Sequence, residues 1–256
     1  MKHLKNSDMK RFSICILAAV LALATSAGAS ARGFRSGGVG TGINFGYLNS
    51  AYRTVDWATD ELTDKSGMNG LYVGMNHDAT LIHDALYLET GLYYTFLNEA
   101  RRETLTFLSN KLIGDRTEHY LNLPVRVKYS FPVSHWLKVF AYGGPTMSIG
   151  LSSKLNYRTR LTDDQAARIS YNYYNGDIQS KNMPEGALTW FDDQLPPSQY
   201  RRFDVLLGGA LGAEFFDMLE VHIGYDWGLI NRNKGDYAED FKTRRNQFYF
   251  SVGLRF

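Results

Sequence analysis

The last ten residues of the chain, Gln247 to Phe256, alternate strictly between large apolar side chains and polar or small ones. The apolar positions are Phe248, Phe250, Val252, Leu254 and Phe256. A period of two is typical of a β-strand with one apolar and one polar face. The pattern therefore predicts a strand that continues to Phe256.

The same alternation recurs in seven earlier stretches, which makes eight predicted strands. They span residues 37–48, 69–81, 86–96, 117–129, 136–151, 202–215, 219–229 and 247–256. The second is the weakest, because its alternation fades after Asn76. The first six connections contain 20, 4, 20, 6, 50 and 3 residues, and the charged segment 231–243 precedes the last strand. Long and short connections alternate in the same way in outer-membrane barrels, which have long outer loops and short periplasmic turns.

Periodicity alone does not decide which face of these strands points inward, and two architectures remain open. A soluble lipocalin-like barrel would place its apolar residues inside, whereas a membrane barrel places them in lipid. The non-apolar face is rich in glycine and charge, too lean for a hydrophobic core, and aromatic residues lie near the ends of the apolar face, as in interfacial girdles. The aromatic residues are Phe45, Tyr47, Tyr94, Phe96, Tyr129 and Trp227. We therefore predict an all-β fold, an eight-stranded antiparallel up-and-down transmembrane β-barrel with long outer loops and short periplasmic turns.

The N-terminal segment has the features of an export signal. A basic leader precedes the apolar run 12–23, and small residues with Ala-x-Ala spacing follow it. The run is too short to span a bilayer as a helix. Residues 1–31 are predicted to be a signal peptide, and residues 32–256 a single barrel domain. The only cysteine, Cys15, lies in the predicted signal peptide, so the barrel domain has no thiol for a disulfide or a metal site.

Charge and histidine spacing narrow the choice of partners. The whole chain has a formal charge of +2. The predicted signal peptide contains four basic residues and one acidic residue, so the chain without it has a charge of about −1. Such a chain has no electrostatic footprint for nucleic acid. The histidines lack the spacing of metal ligands. No cofactor and no metal site are predicted.

Four segments resemble a known family. They are 120–129 (YLNLPVRVKY), 141–150 (AYGGPTMSIG), 202–215 (RFDVLLGGALGAEF) and the terminal strand. Together they resemble the PorT-type outer membrane protein beta-barrel domain family of Bacteroidetes. The resemblance implies an eight-stranded barrel in the bacterial outer membrane, inserted by the barrel assembly machinery through the terminal aromatic Phe256. It implies no catalytic site, and the secretion and gliding role of the namesake is kept as an alternative function.

The polar face of the predicted strands carries many charges. We expect the following residues to form an ion-paired network in the lumen: Glu89, Arg126, Lys128, Lys138, Asp204, Glu214, Glu220, His222, Asp226 and Arg255. The lumen of an eight-stranded barrel has room only for side chains, and an unpaired charge there costs several kcal/mol. A conducting pore is therefore disfavoured.

A lipid-modifying barrel enzyme is a further alternative. Its candidate histidines are His119 and His222, with Glu118, Glu220 or Asp226 as the orienting acid. A nucleophilic mechanism needs a serine or similar group beside the histidine, and no His-x-Ser pairing occurs. We therefore expect a non-enzymatic protein.

Two prolines, Pro124 and Pro145, lie inside predicted strands. Proline removes a hydrogen-bond donor from the ladder, and a closed barrel has no edge strand to accommodate that loss. We expect a bulge or a local break at these positions.

The predicted outer loop 152–201 is the best candidate for partner binding. Tyrosine, tryptophan and arginine, which dominate binding hot spots, are frequent in it. The candidate contact residues are Tyr171, Tyr173, Tyr174, Trp190 and Phe191. Alternatively, the flanking strands extend beyond the membrane and these aromatic residues pack on one another. Residues 166–169 are also compatible with the start of a short helix. We expect a monomer that contacts outer-membrane lipids and binds an extracellular protein or glycan.

Overall fold

The computed structural model describes residues 40–82, 85–99, 104–107, 110–162, 165–182 and 199–256. Most of these residues lie in antiparallel strands. The elements are β1 (Gly40–Asp56), β2 (Leu62–Ile82), β3 (Leu86–Glu99), β4 (Thr104–Phe107), β5 (Asn110–Ser134), β6 (Leu137–Thr162), β7 (Gln165–Asn172), β8 (Ile178–Lys181), β9 (Gln199–Tyr200), β10 (Phe203–Phe215), β11 (Leu219–Gly228), β12 (Asn233–Lys234), α1 (Tyr237–Asp240) and β13 (Phe241–Arg255). In this part of the chain no helix has the length and hydropathy needed to cross a membrane.

Eight of the strands close into a ring. Its order is β1, β2, β3, β5, β6, β10, β11 and β13, with every neighbouring pair antiparallel. The strands β13 and β1 close the ring, with Phe250 opposite Tyr47, and the Thr41 amide donates a hydrogen bond to the Phe256 carbonyl at 3.2 Å. The predicted fold class, an eight-stranded up-and-down barrel, is confirmed.

The barrel has an apolar outside and a polar inside. On its outer surface Phe250, Val252, Ile223 and Trp227 are 44, 40, 48 and 55% exposed. The inward positions of the same strands are polar and buried, as at Asp226, which is 0% exposed. The sidedness predicted for a membrane barrel is therefore confirmed. The lipocalin-like alternative is wrong, because such a barrel must turn its apolar residues inward.

The two ends of the barrel differ in length. At one end, here called the short-turn end, β2–β3, β5–β6 and β10–β11 are joined by brief turns, and the Thr41–Phe256 pair lies there too. At the other, the extended end, β5 and β6 continue for 25 and 26 residues in total. About ten residues suffice for a strand to cross a bilayer. The extra length forms a sheet beyond the apolar belt, to which β4 is added on one side and β7 and β8 on the other.

Much of the predicted outer loops is therefore strand. The predicted loop 49–68 contains the end of β1 and the start of β2, joined at residues 57–61. Alternation persists here, since Tyr52 and Met68 are buried, but the outward positions include polar residues such as Arg53 and Lys65. The contrast that identified the other strands is therefore weak in this segment.

The predicted loop 152–201 is also partly strand. It holds the end of β6, then β7 and β8, and the two residues of β9. Residues 166–169 lie in β7, so the short helix expected there is wrong. Ala167 and Ile169 are buried and Arg168 between them is exposed, which is a period of two.

The two in-strand prolines lie at a local break in the β5–β6 ladder. Pro124 pairs with Thr146, next to Pro145, and the following pair is Val127 with Gly143, with no shift of register. The ladder thus skips two positions without an inserted residue. The expected bulge is absent and the expected break is present.

The break makes Gly144 a sensitive position. Its φ is +155°, and a Cβ built on it would lie 2.4 Å from the Val125 carbonyl oxygen. We predict that Gly144→Ala destabilises the folded barrel by about 1–3 kcal/mol. The measurement is the temperature at which the folded band disappears on a detergent gel. Gly143→Ala is the control, because the nearest atom to its Cβ would be 3.4 Å away. Equal midpoints for the two variants would contradict the prediction.

Candidate functional site

The lumen next to the short-turn end holds a group of buried charges around Lys128. Its Nζ lies 3.2 Å from Asp78 Oδ2 and 3.1 Å from Glu220 Oε2. The guanidinium of Arg255 lies 2.6 Å from Asp78 Oδ2 and 3.1 Å from Glu214 Oε2. Each of these carboxylates contacts a cation, as burial demands, because leaving one alone costs several kcal/mol.

Lys138 closes the mouth of the barrel at this end. Its Nζ lies 3.3 Å from Glu214 Oε1 and 2.5 Å from Asp217 Oδ1. Its side chain is 40% exposed, so this contact is at the boundary with solvent.

The middle of the lumen is organised by Arg126. Its guanidinium lies 3.7 Å from Glu89 Oε1 and 3.6 Å from Asp226 Oδ2, and 4.7 Å from the centre of the Tyr142 ring. Gln247 donates a further hydrogen bond to Asp226 Oδ2 at 2.8 Å. The arginine thus links acids of β3 and β11 across the barrel.

His222 lies beside this group, in contact with Glu220 at 3.3 Å and with the Tyr72 hydroxyl at 3.5 Å. The cavity next to it, lined by residues that include Tyr93, Arg126 and Tyr249, measures about 30 Å³. That is room for one or two water molecules. The lumen is closed to solutes at this level.

A third group lies towards the extended end. Arg245 Nε is 3.5 Å from Asp204 Oδ2, and its Nη2 donates to Ser148 at 2.8 Å. Ser148 in turn donates to Asn122 at 2.6 Å. All ten residues expected in the lumen therefore have inward positions, in three linked groups.

Above this level the barrel is closed by a cluster that we call the outer plug. It consists of Tyr52, Arg116, Glu118, Tyr120, Tyr173, Tyr200 and Arg232. Glu118 is its centre and is 0% exposed. It accepts hydrogen bonds from Arg116 and from the Tyr52 hydroxyl at 2.5 Å each, from Ser153 at 2.8 Å and from Arg232 at 3.3 Å.

Aromatic rings sandwich the two arginines of the plug. Arg116 lies 4.9 Å from the ring centres of both Tyr52 and Tyr173, and Arg232 lies 4.7 Å from that of Tyr200. Tyr173 and Tyr200 stack at 4.7 Å. The plug therefore joins β1 and β5 to the β7–β8 turn and to the small β9–β12 sheet.

A closed eight-strand ring with this sidedness is the architecture of an outer-membrane protein, and the sequence agrees. The family model for the outer membrane protein beta-barrel domain matches residues 28–232. The chain belongs to this family. This outer-membrane barrel therefore resides in the bacterial outer membrane, with its apolar belt in lipid. Its short-turn end faces the periplasm and its extended end the outside.

The solved structures to which this barrel is similar are distant from it. Ail of Yersinia pestis is 12% identical, with a TM-score of 0.38, over 85% of this chain and 98% of its own. OprG of Pseudomonas aeruginosa is 12% identical, with a TM-score of 0.39, over 88% of this chain and 98% of its own. No functionally curated protein matches the sequence significantly. The more specific PorT-type resemblance stays a prediction.

The tyrosines expected to contact a partner lie inside the extracellular part of the barrel. Tyr171, Tyr173 and Tyr174 are 6, 2 and 5% exposed. They support the extracellular sheet and the outer plug, and their rings are not on the surface. Trp190 and Phe191, as well as the expected signal peptide, lie outside the described residues.

Phe256, expected to direct insertion, lies at the short-turn end with its side chain on the outside of the barrel. It is 43% exposed, and its amide donates a hydrogen bond to the Thr41 carbonyl at 2.9 Å. Its role in insertion stays a prediction.

Several residues of the buried network were not identified from the sequence. Glu118 and Arg116 were within reach, because Glu118 occupies an inward position of the strand predicted over 117–129 and Arg116 is the next inward position, just before that strand. Asp78 lies in the strand with the weakest alternation. No sequence pattern indicated that Arg232 is buried, because it lies in an irregular segment and contacts Glu118 only in the folded structure.

The plug lies beyond the membrane-spanning part of β5, whose outward apolar side chains start at Leu121. Burial by itself would raise the pKa of Glu118. The guanidiniums of Arg116 and Arg232, with hydrogen bonds from Tyr120 and Tyr52, outweigh burial and hold this pKa well below its ordinary value of 4.5. Burial also raises the pKa of Tyr174, to about 12.

The stability of the plug should therefore depend on pH. A carboxyl with a lowered pKa stabilises the folded state fully above its unfolded pKa, and the contribution is lost as the pH falls through the folded value. We predict that hydrogen exchange in β7, corrected for the intrinsic rate, accelerates as the pH drops below about 4.5. Glu118→Gln should accelerate exchange already at pH 7 and depend less on pH.

Asp177→Asn is the matched control for this measurement, because Asp177 lies in the exposed β7–β8 turn. In the Asp177→Asn variant, β7 should exchange hydrogen as fast as in the wild type, both at pH 7 and below about pH 4.5. Wild-type exchange in the Glu118→Gln variant at pH 7 would show that the carboxylate does not hold the plug together.

The ion pairs of the lumen give a further prediction, which concerns the stability of the barrel. Lys128→Met leaves Asp78 and Glu220 with Arg255 as their remaining cation, so we expect a loss of about 3–5 kcal/mol in the free energy of unfolding. Lys138→Met removes the same charge at the exposed mouth and should cost clearly less. Urea titration in detergent, followed by tryptophan fluorescence, measures both. The prediction fails if the two variants lose equal stability.

Proposed function

We propose that this protein is a non-enzymatic outer-membrane barrel that binds a partner through an extracellular sheet. The observation that carries the proposal is the continuation of β5 and β6 beyond the apolar belt into one sheet with β7 and β8. The outer plug fixes this sheet to the barrel. Binding surfaces held on a rigid scaffold are a common use of such folds.

The two faces of the extracellular sheet have different roles. One face contributes Leu155, Tyr157, Ile169 and Tyr171 to a buried apolar cluster. The other carries cations. Arg158 on β6 pairs in register with Arg168 on β7, which pairs with Lys181 on β8, and all three are exposed.

We call Arg158, Arg168 and Lys181 the extracellular row. Among the described residues, the acid in contact with it is Asp115, whose Oδ1 lies 3.8 Å from Arg158 Nε. The row has a net positive charge, and charge complementarity steers association and selects partners. The expected partner is therefore an acidic protein surface or an acidic glycan. Segment 183–198, with Trp190 and Phe191, follows β8 and supplies further candidate contacts.

The histidines support the non-enzymatic part of the proposal. A lipid hydrolase needs a nucleophile, a histidine and an orienting carboxylate in mutual contact. His222 is buried in the lumen. His119 faces outward, and its Nδ1 lies 2.6 Å from the Tyr94 hydroxyl. In the part of the chain that the structure describes, no carboxylate contacts the His119 ring.

The test compares partners captured by cross-linking on intact cells. The variant Arg158→Gln/Arg168→Gln/Lys181→Gln should lose the partners captured by the wild type, and wild-type capture should weaken as salt rises. Deleting residues 165–198 is a less clean test, because it also removes Tyr173 from the plug.

The matched control is Arg53→Gln/Lys65→Gln/Arg244→Gln, which removes three exposed cations near the apolar belt and should keep the partners. If the extracellular-row variant captures the same partners as the wild type, the proposal is wrong.

A further inference from the structure

A second row of cations crosses the outside of the barrel between the apolar belt and the extracellular end. Arg53 on β1 pairs in register with Lys65 on β2 and with Arg244 on β13. All three side chains are exposed and lie on the same face as the lipid-facing Tyr47 and Phe248. We call these three residues the belt row.

The belt row is electrostatically unfavourable in the barrel alone. Like charges directly opposite each other on antiparallel strands are destabilising. Among the described residues no carboxylate forms an ion pair with Arg53, Lys65 or Arg244. The lumen, by contrast, pairs each of its cations with acids. An anion bound at the row would offset the repulsion.

The height of the row relative to the belt indicates the source of that anion. Arg244 is four residues beyond Phe248, the outward-facing large apolar residue of β13 nearest the extended end. This separation corresponds to about 10 Å along the membrane normal for a strand tilted by about 40°. The headgroup layer extends about 5–8 Å beyond the hydrocarbon core. Long basic side chains bend towards this layer.

The side chains between the belt and the row mark the same boundary. Asn49 donates to Asn69 at 2.7 Å and the Tyr47 hydroxyl donates to Asn69 at 2.6 Å. This amide pair separates the apolar belt from the cations. Above the row, Lys242 lies 4.2 Å over the ring of Trp57 and adds a fourth basic side chain. Apolar, amide and cationic layers thus follow one another, as the acyl, interfacial and phosphate layers of a leaflet do.

We propose that the belt row binds the phosphate groups of an anionic lipid of the outer leaflet, whose acyl chains lie against the apolar belt below. Phe45, Tyr47 and Phe250, all exposed on β1 and β13, form the part of the belt beneath the row. The lipid would be held at both ends, by apolar contact below and by paired charge above.

The proposal does not depend on the partner-binding role of the extracellular row. Arg158 is nine residues beyond Ile149, which corresponds to about 23 Å along the membrane normal at the same tilt. That is out of reach of the headgroup layer. The two rows therefore provide matched variants, with the same loss of charge at two heights.

The test measures binding of fluorescent lipid A carrying two phosphates to the purified barrel in an uncharged detergent, by anisotropy at fixed salt. The variant Arg53→Gln/Lys65→Gln/Arg244→Gln should bind about 100-fold more weakly than the wild type, since each cation near a membrane surface contributes about fivefold. The extracellular-row variant should bind like the wild type. Lipid A with one phosphate should bind the wild type more weakly.

Without lipid A, the belt-row variant should unfold at the same temperature as the wild type or higher, because it relieves the repulsion. This keeps a binding defect distinct from a folding defect. The proposal is overturned if the belt-row variant binds as tightly as the wild type. It is also overturned if both triple variants lose the same affinity, which would indicate general attraction between opposite charges.

Discussion

The structure depends on mutual neutralisation of charge in a lumen too narrow for solvent. The acids and the bases of this network lie on different strands. Asp78, Glu89, Glu214, Glu220 and Asp226 come from β2, β3, β10 and β11, whereas Arg126, Lys128, Lys138 and Arg255 come from β5, β6 and β13. No strand can therefore satisfy its own charges. Because a one-residue slip in one strand would turn its charges towards lipid, the network specifies the register of the ring as well as its closure.

The surroundings of the barrel change along its axis, and the chemistry of its wall changes with them. Inward positions of β5 stay buried from Lys128 through Asn122 to Glu118. Outward positions change from apolar residues in the belt to polar residues beyond it. The outer plug is possible because the strands keep their pairing above the membrane. Like the lumen, it combines ion pairs with arginine–tyrosine contacts, but a single carboxylate, that of Glu118, accepts from both of its arginines.

Because side chains fill the lumen, only the outer surfaces of the barrel are available for binding. The two cation rows lie at two heights on opposite sides of the barrel wall. The belt row crosses β13, β1 and β2, and the extracellular row crosses β6, β7 and β8. In each, the register places like charges side by side. The interior also has like charges in register, Asp78 with Glu89 and Glu214 with Glu220, but there a cation contacts both members of each pair. The belt row suits the phosphate layer of the leaflet, and the extracellular row suits a partner beyond it. The first would anchor and orient the barrel in lipid, and the second would provide the contact that the barrel presents.

Within the membrane, the alternation of the sequence determined the strands and their number, and the composition of the two faces determined their sidedness. There, apolar and polar positions face opposite surroundings, and the contrast between Ile223 and His222 is visible in the sequence alone. Towards the extended end, beyond Tyr47 on β1 and Leu121 on β5, both faces of the strands contact polar groups or water. The contrast fades, and the sequence suggested loops where β1, β2, β5 and β6 continue. Most of the inward charges within the membrane were equally predictable, because the alternation assigns every second residue to the lumen. Asp78 was missed, because it lies in the strand whose alternation fades.

Which charge contacts which was decided by the tertiary structure. Arg232 meets Glu118 across 114 positions of the chain, a distance over which no local pattern carries information. The tyrosines of segment 152–201 have the composition of a binding surface, yet folding β7 back on β6 buries them. The two cation rows required the register of three adjacent strands. Local periodicity encodes which side of a strand is buried, and only the closed ring determines what each side chain meets there.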